Sequence, residues 1–291
     1  MFWDKLDVVY VINLAHRKDR WDSITRHLSE FVPPTKIHRI EAILGVDIPG
    51  YGAPPWFGKR TGPARHRAGA AGAVLSHKRA LEQAKREGYS NLLILEDDAR
   101  FNDPLTGAKG DLIARFMLEN PWDILYLGFI DGRREVARVH GDAETGFIER
   151  TCGMLTGHAY LVNKFAYDKL LRRLPEERNV WSWLAFHWAI DVWLRNWFAP
   201  FNRVYRCYPS IVDQAVNVSD IEGGTQNWYS GARPGGWILY ESERRLERRI
   251  ALLQITNPLY YSRKGGKRWL GARFLGYTPQ KKPKRIHHHV T

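Results

Sequence analysis

The sequence predicts an α/β protein whose mainly parallel sheet is covered by helices on both faces, with a basic helical extension at its C-terminus. Short apolar runs alternate along the chain with segments whose apolar residues recur at helical spacing, a pattern typical of this class. The runs are apolar at consecutive positions, which indicates strands buried on both faces. None approaches the roughly 18 to 20 apolar residues needed to cross a bilayer.

Each element follows from one of these two patterns. The β-branched and aliphatic runs predict strands at residues 8–12, 37–43, 92–95, 122–127, 158–162 and 204–208. Apolar residues three or four apart predict helices at residues 19–28, 73–87, 111–119, 164–174, 181–198 and 241–255. Residues 45–72 are rich in Gly and Pro and too long for an ordinary connection, so we expect a functional loop or lid. Residues 132–150 are charged and predict a hairpin or excursion.

We expect two units, a core domain over residues 1–235 and an amphipathic helix with a basic extension over residues 236–291. The net charge is +13, and residues 248–291 contain 11 Lys or Arg and no acidic residue. Such a segment suits nucleic acid, an anionic membrane surface or an anionic substrate, or serves only as a solubilising end. Residues 263–285 interleave basic residues with Trp269, Leu270, Phe274 and Leu275, which favours peripheral contact with an anionic membrane.

The cysteines and the N-terminus bear on the compartment. Cys152 and Cys207 are too few for a disulfide framework, so we expect both to be reduced and buried. The N-terminal residues lack the layout of a signal peptide. We therefore expect a cytoplasmic protein, with peripheral attachment at the inner face of the membrane as a further expectation.

The most informative motif is Glu96-Asp97-Asp98, which follows the apolar run at residues 92–95 directly. In open α/β sheets, ligands bind at the carboxyl ends of strands. Carboxylates are also the natural ligands of Mg²⁺ or Mn²⁺, which usually carry substrate phosphates. The motif indicates either a divalent-metal site for a nucleotide diphosphate or a solvated acidic turn.

Three other groups of residues are candidates for binding or catalysis. Asn13 and Leu14 end the first strand, and Arg17 and Arg20 follow in a basic turn that suits a diphosphate or is merely solvated. Ser76 and His77 follow a small-residue stretch, residues 69–73, read as the approach to a helix N-terminus; a buried structural His77 is the alternative. His187 and Asp191 are four residues apart on the predicted aromatic helix and are expected to face one site, with a surface carboxylate as the alternative for Asp191.

Taken in order, these motifs resemble glycosyltransferase family 25, the lipooligosaccharide-biosynthesis and procollagen galactosyltransferase family. The resemblance spans about residues 8–213. It is carried by Val11-Ile12-Asn13-Leu14 with Arg17 and Arg20, Ser76-His77, Leu93-Ile94-Leu95-Glu96-Asp97-Asp98, Gly157-His158-Ala159-Tyr160-Leu161-Val162, and Asp191 before Trp193-Leu194. The stretch at residues 69–73 departs from the family, which usually has an acidic residue and a cysteine there.

The resemblance implies a GT-A fold that binds a sugar nucleotide, commonly UDP-galactose, and transfers the sugar with inversion, usually with Mn²⁺. On this basis Glu96 and Asp98 are expected to hold Mn²⁺ or Mg²⁺, and Asp191 to act as the catalytic base. The expected contacts with the UDP-sugar are made by Asn13, Leu14, Arg17, Arg20, Ser76, His77, Asp97, His158 and Tyr160.

The expected acceptor is a hydroxyl of a glycan or glycolipid, such as lipooligosaccharide or another surface glycan. Two other functions stay open. The first is a nucleic-acid-binding protein that acts through its basic tail. Because the positive charge lies in the tail while the acidic motif lies in the core, nucleic acid is the weaker expectation. The second is an inactive carbohydrate-binding relative that keeps the fold.

Overall fold

The computed structural model describes residues 1–57, 64–130, 135–215, 217–218, 225–226 and 239–275. Its strands are β1 (Val8–Asn13), β2 (Ile37–Glu41), β3 (Asn91–Glu96), β4 (Ala99–Phe101), β5 (Ile124–Ile130), β6 (Glu135–Asp142), β7 (Gly146–Thr151), β8 (Leu155–Asn163), β9 (Val204–Tyr208), β10 (Val212–Gln214), β11 (Asn217–Val218), β12 (Thr225–Gln226) and β13 (Leu239–Tyr240). Its helices are α1 (Lys18–Leu28), α2 (Ala64–Arg86), α3 (Ala108–Glu119), α4 (Lys164–Leu171), α5 (Val180–His187), α6 (Ile190–Trp193) and α7 (Glu243–Leu275).

Nine of these strands form one sheet in the order β13-β6-β7-β9-β5-β8-β3-β1-β2. Within it β1 is parallel to both β2 and β3, and β5 is parallel to β9. Only β7 and β8 run against the other seven strands of this sheet. The predicted α/β class with a mainly parallel sheet is confirmed, and the charged segment at residues 132–150 contains the antiparallel β6–β7 hairpin.

Helices cover both faces of the sheet because successive strand residues point to opposite sides. In β3, Leu92 and Ile94 pack with α2, α4 and α5 on one face, whereas Leu93 and Leu95 pack with α1 and α3 on the other. Each of these four side chains is fully buried. A strand buried on both faces needs apolar residues at every position, which explains the continuous apolar runs.

Helix α2 begins at Ala64, so the expected helix start at residue 73 is wrong, and the expected loop over residues 45–72 is helical from residue 64 onward. The small residues at 69–73 lie inside the helix, where they permit close packing. A Cβ atom added at Gly72 would lie 2.3 Å from the carbonyl oxygen of Ile43. Alanine is also a strong helix former, so this stretch extends the helix.

The aromatic segment is also not the single helix predicted over residues 181–198. Helix α5 ends at His187, and Trp188 has φ +83°, which breaks the helical path. Helix α6 then covers four residues before a π-helical turn, Leu194–Phe198. The break changes which side chains face each other across this segment.

Helix α7 extends well beyond the predicted end at residue 255. Its Leu246 and Ile250 are buried against Ala137 of β6 and Cys152. The predicted boundary near residue 235 lies outside the described residues. In the part of the chain that the structure describes, no helix is both long and apolar enough to cross a membrane.

Candidate active site

Three chain segments meet at one edge of the sheet. Strands β1 and β3 are parallel neighbours with Ile12 opposite Glu96, so both end at this edge. Strand β8 is antiparallel to β3, with Ala159 opposite Leu95, so β8 begins there. The turn after β1, the acidic motif after β3 and the first residues of β8 are thereby brought together, at the edge where ligands bind in such sheets.

Asp97 ties the first two segments together. Its side chain is buried and accepts hydrogen bonds from Asn13 Nδ2 at 2.7 Å and from Arg20 at 2.9 Å. Asn13 Nδ2 also donates to the carbonyl oxygen of Arg17 at 3.0 Å. Burial raises the pKa of Asp97 above its usual range, although Asn13 and the Arg20 charge act in the opposite direction. Asn13, Arg20 and Asp97 therefore fix the start of α1 against the end of β3.

Glu96 is held from the opposite side by a buried pair of rings. His77 on α2 places its Nε2 atom 3.6 Å from a Glu96 oxygen, and its Nδ1 atom lies 2.9 Å from the Tyr160 hydroxyl. Both His77 and Tyr160 are almost fully buried. Burial alone would raise the pKa of Glu96, but the contact with His77 and smaller effects of the His158 and Arg20 charges together leave that pKa below its usual value. The chain of contacts Tyr160–His77–Glu96 fixes the direction of this carboxylate.

Asp98 is the least neutralised carboxylate of the motif. Its side chain is partly exposed, and Gln214 Nε2 donates to it over a long distance of 3.5 Å. Burial, followed by the charges of Glu96 and Asp97, raises the pKa of Asp98 to about 7. Crowding of negative charge is costly unless a cation approaches. Asp98 is thus the carboxylate for which a bound cation would relieve the most repulsion.

The motif fits a metal that also binds phosphate. No group of three His, Cys, Asp or Glu side chains suited to a metal ion occurs among the described residues. Glu96 ends β3 and Asp98 lies in the turn before β4, and both are partly exposed, while Asp97 between them is buried. In a Mg²⁺ site of this kind the protein usually supplies one or two carboxylate ligands, and substrate phosphates and water supply the others.

His158 and Thr156 form the near wall of the site. His158 is fully buried, with Nε2 3.2 Å from the carbonyl oxygen of Val212 and Nδ1 3.0 Å from the Thr156 hydroxyl. The contact with a carbonyl requires that Nε2 carry the proton, so Nδ1 accepts from Thr156. Thr156 itself has φ +68°. A β-branched residue in this left-handed region is strained, and such strain clusters at functional sites.

Asp191 reaches the same edge through Thr156. The Thr156 backbone N–H donates to Asp191 Oδ2 at 3.3 Å, and the Val192 N–H donates to Oδ1 at 2.7 Å. The next residue, Gly157, lies beside His77 and Glu96, where an added Cβ would be 3.9 Å from a Glu96 oxygen. Asp191 and Glu96 therefore both lie close to the backbone of Thr156 and Gly157.

His187 does not join Asp191, so the expectation that the two side chains face one site is wrong. The break at Trp188 turns His187 away into a cavity of about 500 Å³. That cavity is lined by Arg173, Trp183, Phe186, His187, Trp193, Trp197, Phe201 and Pro258. Burial among these rings, with a smaller effect from the Arg268 charge, lowers the pKa of His187 to about 3.

Three other predicted residues lie near the edge but use their polar groups elsewhere. Ser76 is fully buried and bonds within the fold, accepting from the Ile43 N–H at 2.8 Å and donating to Gly72. Arg17 pairs with Asp19 at 2.9 Å. Leu14 is half-buried, and its carbonyl oxygen accepts from Arg39 at 3.0 Å. Ser76 thus joins α2 to the loop after β2.

Sequence reasoning missed Thr156 and Gln214, and it gave Gly157 no role of its own. Gln214 belongs to β10, which pairs with β4 directly after the acidic motif. The Ala215 N–H, at the end of β10, donates to the carbonyl oxygen of Asp98 at 2.7 Å. No sequence signal marks Gln214, because it lies 116 residues from Asp98 along the chain. The glycine before His158 was the only local hint of a close backbone approach.

The chain is similar to curated members of glycosyltransferase family 25, which confirms the resemblance. A "probable inactive glycosyltransferase 25 family member 3" from Bos taurus is 31% identical over 136 residues, covering 42% of this chain and 22% of the relative. The human "inactive glycosyltransferase 25 family member 3" has the same identity and coverage. "Procollagen galactosyltransferase 1" from Danio rerio is 26% identical over 186 residues, covering 58% of this chain and 29% of the relative.

The chain spans less than a third of the length of these curated relatives. No protein-family model matches it. Among solved structures, a mannose-1-phosphate geranyltransferase from Thermus thermophilus aligns with a TM-score of 0.37 and 12% identity, over 69% of this chain and 72% of that one. A197 from STIV aligns with a TM-score of 0.36 and 14% identity, over 78% and 96%. TM-scores this low support no conclusion about this chain.

Proposed function

We propose that this chain belongs to glycosyltransferase family 25, has the GT-A architecture and acts as an inverting glycosyltransferase. It moves a hexose, with galactose as the expected sugar, from a UDP-sugar to a hydroxyl of a glycan such as lipooligosaccharide or another surface glycan. The observation that carries the proposal is the convergence of Glu96, Asp98 and Asp191 at one edge of the sheet. Two partly exposed carboxylates suited to a metal–diphosphate complex thus lie near a third that is suited to a base.

Glu96 and Asp98 are the residues that would hold Mn²⁺ or Mg²⁺. When bound, such an ion neutralises the charge of the leaving diphosphate as a Lewis acid. Burial, followed by the charges of Glu96 and Asp97, raises the pKa of Asp98 to about 7, and a cation at this position would relieve that repulsion. His77 and Tyr160 keep Glu96 in one orientation, which reduces the ordering cost of binding.

Asp191 is the proposed base. The acceptor hydroxyl oxygen attacks the anomeric carbon, the bond from that carbon to the diphosphate oxygen breaks, and the hydroxyl proton passes to Asp191. Attack from the face opposite the leaving group inverts the anomeric centre. The backbone N–H groups of Thr156 and Val192 hold the carboxylate in place, and positioning of this kind supplies a large share of catalysis in two-substrate reactions.

Residues around the carboxylates support them. Asp97, which accepts a hydrogen bond from Asn13, also holds Arg20 of α1 near the end of β1, where the Arg20 charge adds stabilisation to the leaving diphosphate. His158 and Tyr160 shape the wall of the sugar pocket, and Leu14, Arg17 and Ser76 position the loops around it. In this proposal the buried residues act mainly by orienting those that reach the substrates.

A second candidate is a relative that binds the sugar nucleotide without transferring the sugar. Two of the similar proteins carry the word "inactive" in their names, which is the observation that favours it. This chain keeps Glu96, Asp98 and Asp191 together, and that arrangement favours the active form. The two candidates differ in turnover and agree in donor binding.

The test combines calorimetry with a UDP-release assay for a panel of UDP-sugars in Mn²⁺. Asp191→Asn should lower turnover about 10²- to 10⁴-fold with little change in donor affinity, because Asn matches Asp in shape but is no useful base. Asp98→Ala should abolish the metal-dependent rate. Asp168→Asn is the matched control, since Asp168 is an exposed α4 residue paired with Lys85 and such pairs contribute little.

Each outcome separates the candidates. Wild-type turnover in Asp191→Asn would remove Asp191 from the role of base, and wild-type turnover in Asp98→Ala would remove the metal site. Donor binding by the wild type without any UDP release would favour the non-catalytic candidate. The absence of binding to every UDP-sugar would reject both.

A further inference from the structure

Helix α7 has two distinct faces along its whole length. The inner face is formed by residues three or four positions apart that are buried or partly buried, namely Leu246, Ile250, Leu253, Asn257, Tyr261, Gly265, Arg268 and Ala272. It packs against β6 and α5; an added Cβ at Gly265 would lie 2.8 Å from the Phe186 ring. The inner face therefore faces the protein and leaves the opposite side of the helix to solvent.

The outer face is a continuous exposed stripe. It is formed by Arg245, Arg248, Leu252, Ile255, Leu259, Arg263, Lys267, Leu270 and Phe274, each three or four residues from the next and all exposed. Leu259 and Phe274 are 71% and 72% exposed. At about 1.5 Å per residue the stripe is roughly 45 Å long. Single exposed apolar residues are ordinary, but an aligned row of five marks an interaction surface.

The charge on this face has one sign. The only acidic residues of α7 are Glu243 and Glu247, in its first two turns, and residues 248–275 contain none. Arg249 pairs with Glu135 at 2.6 Å. Within the described ranges, Arg248, Arg263 and Lys267 make no ion pair, so their charges are available to an anionic partner.

We propose that the outer face of α7 docks on an anionic lipid surface, with the helix lying in the plane of the membrane. Aliphatic and aromatic side chains enter the interface while Lys and Arg contact the lipid phosphates, as in interfacial amphipathic helices. Nucleic acid would use the charges but would gain nothing from the five exposed apolar residues. The proposal does not depend on the proposed transferase activity.

The docking segment differs from the one expected from the sequence. Trp269 was expected at the interface, but its indole N–H donates to the Ser182 hydroxyl at 2.8 Å and its ring packs on Trp56 at 5.7 Å. Leu270 and Phe274 keep the expected exposed positions. A chain stopped after residue 262 would lose the contacts of Trp269 with Ser182 and Trp56 as well as the last part of the exposed stripe. Point variants of the full chain therefore give the cleaner test.

The experiment is co-sedimentation with vesicles of phosphatidylcholine, alone or mixed with phosphatidylglycerol. The full chain is compared with Leu259→Glu/Phe274→Glu. The matched control is Leu118→Glu/Phe165→Glu, which changes the same residue types at exposed positions of α3 and α4, where the exposures are 68% and 70%. The two double variants have the same composition and net charge, and thermal unfolding establishes that both are folded.

The proposal requires that the wild type and the control bind phosphatidylglycerol vesicles and that binding weaken as salt rises. The α7 variant should bind roughly tenfold or more weakly. Equal sedimentation of the two double variants would overturn the proposal, as would a lack of preference for the anionic lipid. If none of the proteins binds vesicles and all of them bind single-stranded RNA, the nucleic-acid alternative replaces the membrane-docking proposal.

Discussion

Replacing His187 by Phe should make the stability of this protein less sensitive to acid. His187 lies among Trp183, Phe186 and Trp197, with ring centroids 4.7, 4.8 and 5.5 Å away. Its Nδ1 atom is buried, with no hydrogen-bond partner among the described residues. Burial lowers its pKa from the ordinary value of 6.5 to about 3, so the folded protein holds this imidazole in its neutral form.

The sign and size follow from proton linkage. Between pH 6.5 and about 3 the unfolded chain binds a proton at His187 and the folded chain does not, so the free energy of unfolding falls as the pH falls. A pH of about 5 lies about 1.5 units below the unfolded-state pKa. The free energy of unfolding should therefore be roughly 2 kcal/mol lower at about pH 5 than at about pH 7.5. Water in the neighbouring cavity reduces this value, so we expect about 1 to 2 kcal/mol.

Urea unfolding of the wild type, His187→Phe and His187→Gln at the two pH values measures this effect. Neither variant can titrate, so both should lose about 1 to 2 kcal/mol less than the wild type on acidification. A packing defect would lower the stability of a variant at both pH values and would not change this difference. Equal acid sensitivity of all three proteins would refute the reasoning. UDP release should persist in both variants, because His187 lies outside the proposed site.

Two further predictions concern buried polar contacts. Glu149→Gln should lower the free energy of unfolding by about 3 to 5 kcal/mol, because Arg206, fully buried and 2.7 Å from Glu149, would lose its counter-charge. Urea unfolding measures this loss. If the double variant Glu149→Leu/Arg206→Met is no more stable than Glu149→Gln, the uncompensated Arg206 charge is not the cause. Tyr160→Phe should lower the free energy of unfolding by about 1 to 3 kcal/mol, because His77 loses its hydrogen-bond partner. Tyr167→Phe should leave stability nearly unchanged, since the Tyr167 hydroxyl is buried without a partner in the described structure. Equal losses in the two variants would contradict the role given to the Tyr160–His77 contact.

The strands were the part of the fold that local sequence could predict. Apolar runs such as residues 92–95 are apolar at every position because each side of the strand meets a layer of helices. The acidic motif was placed correctly at the end of β3 for the same reason, since a charged residue cannot continue a fully buried strand. The ligand, the metal and the acceptor stay predictions.

The helix boundaries were decided by packing and could not be read locally. Residues 69–73 were predicted to lead into a helix, but they lie inside α2, where Gly72 closely approaches the carbonyl oxygen of Ile43. The segment around Trp188 looked like one continuous helix, because its aromatic residues fit helical spacing on either side of the break. Periodicity detects which residues are buried and does not detect a single backbone turn within the run.

The sequence alone thus determined the α/β class, the acidic strand end and the basic composition of the C-terminal segment. Only the tertiary structure decided which side chains meet. It separated His187 from Asp191, brought Asp191 to Thr156 and Glu96 to the neighbouring Gly157, and bonded Trp269 to Ser182 while Leu270 and Phe274 stayed exposed. The physical reason is that composition and spacing report local burial, whereas contacts between distant residues depend on strand order, register and one strained backbone angle.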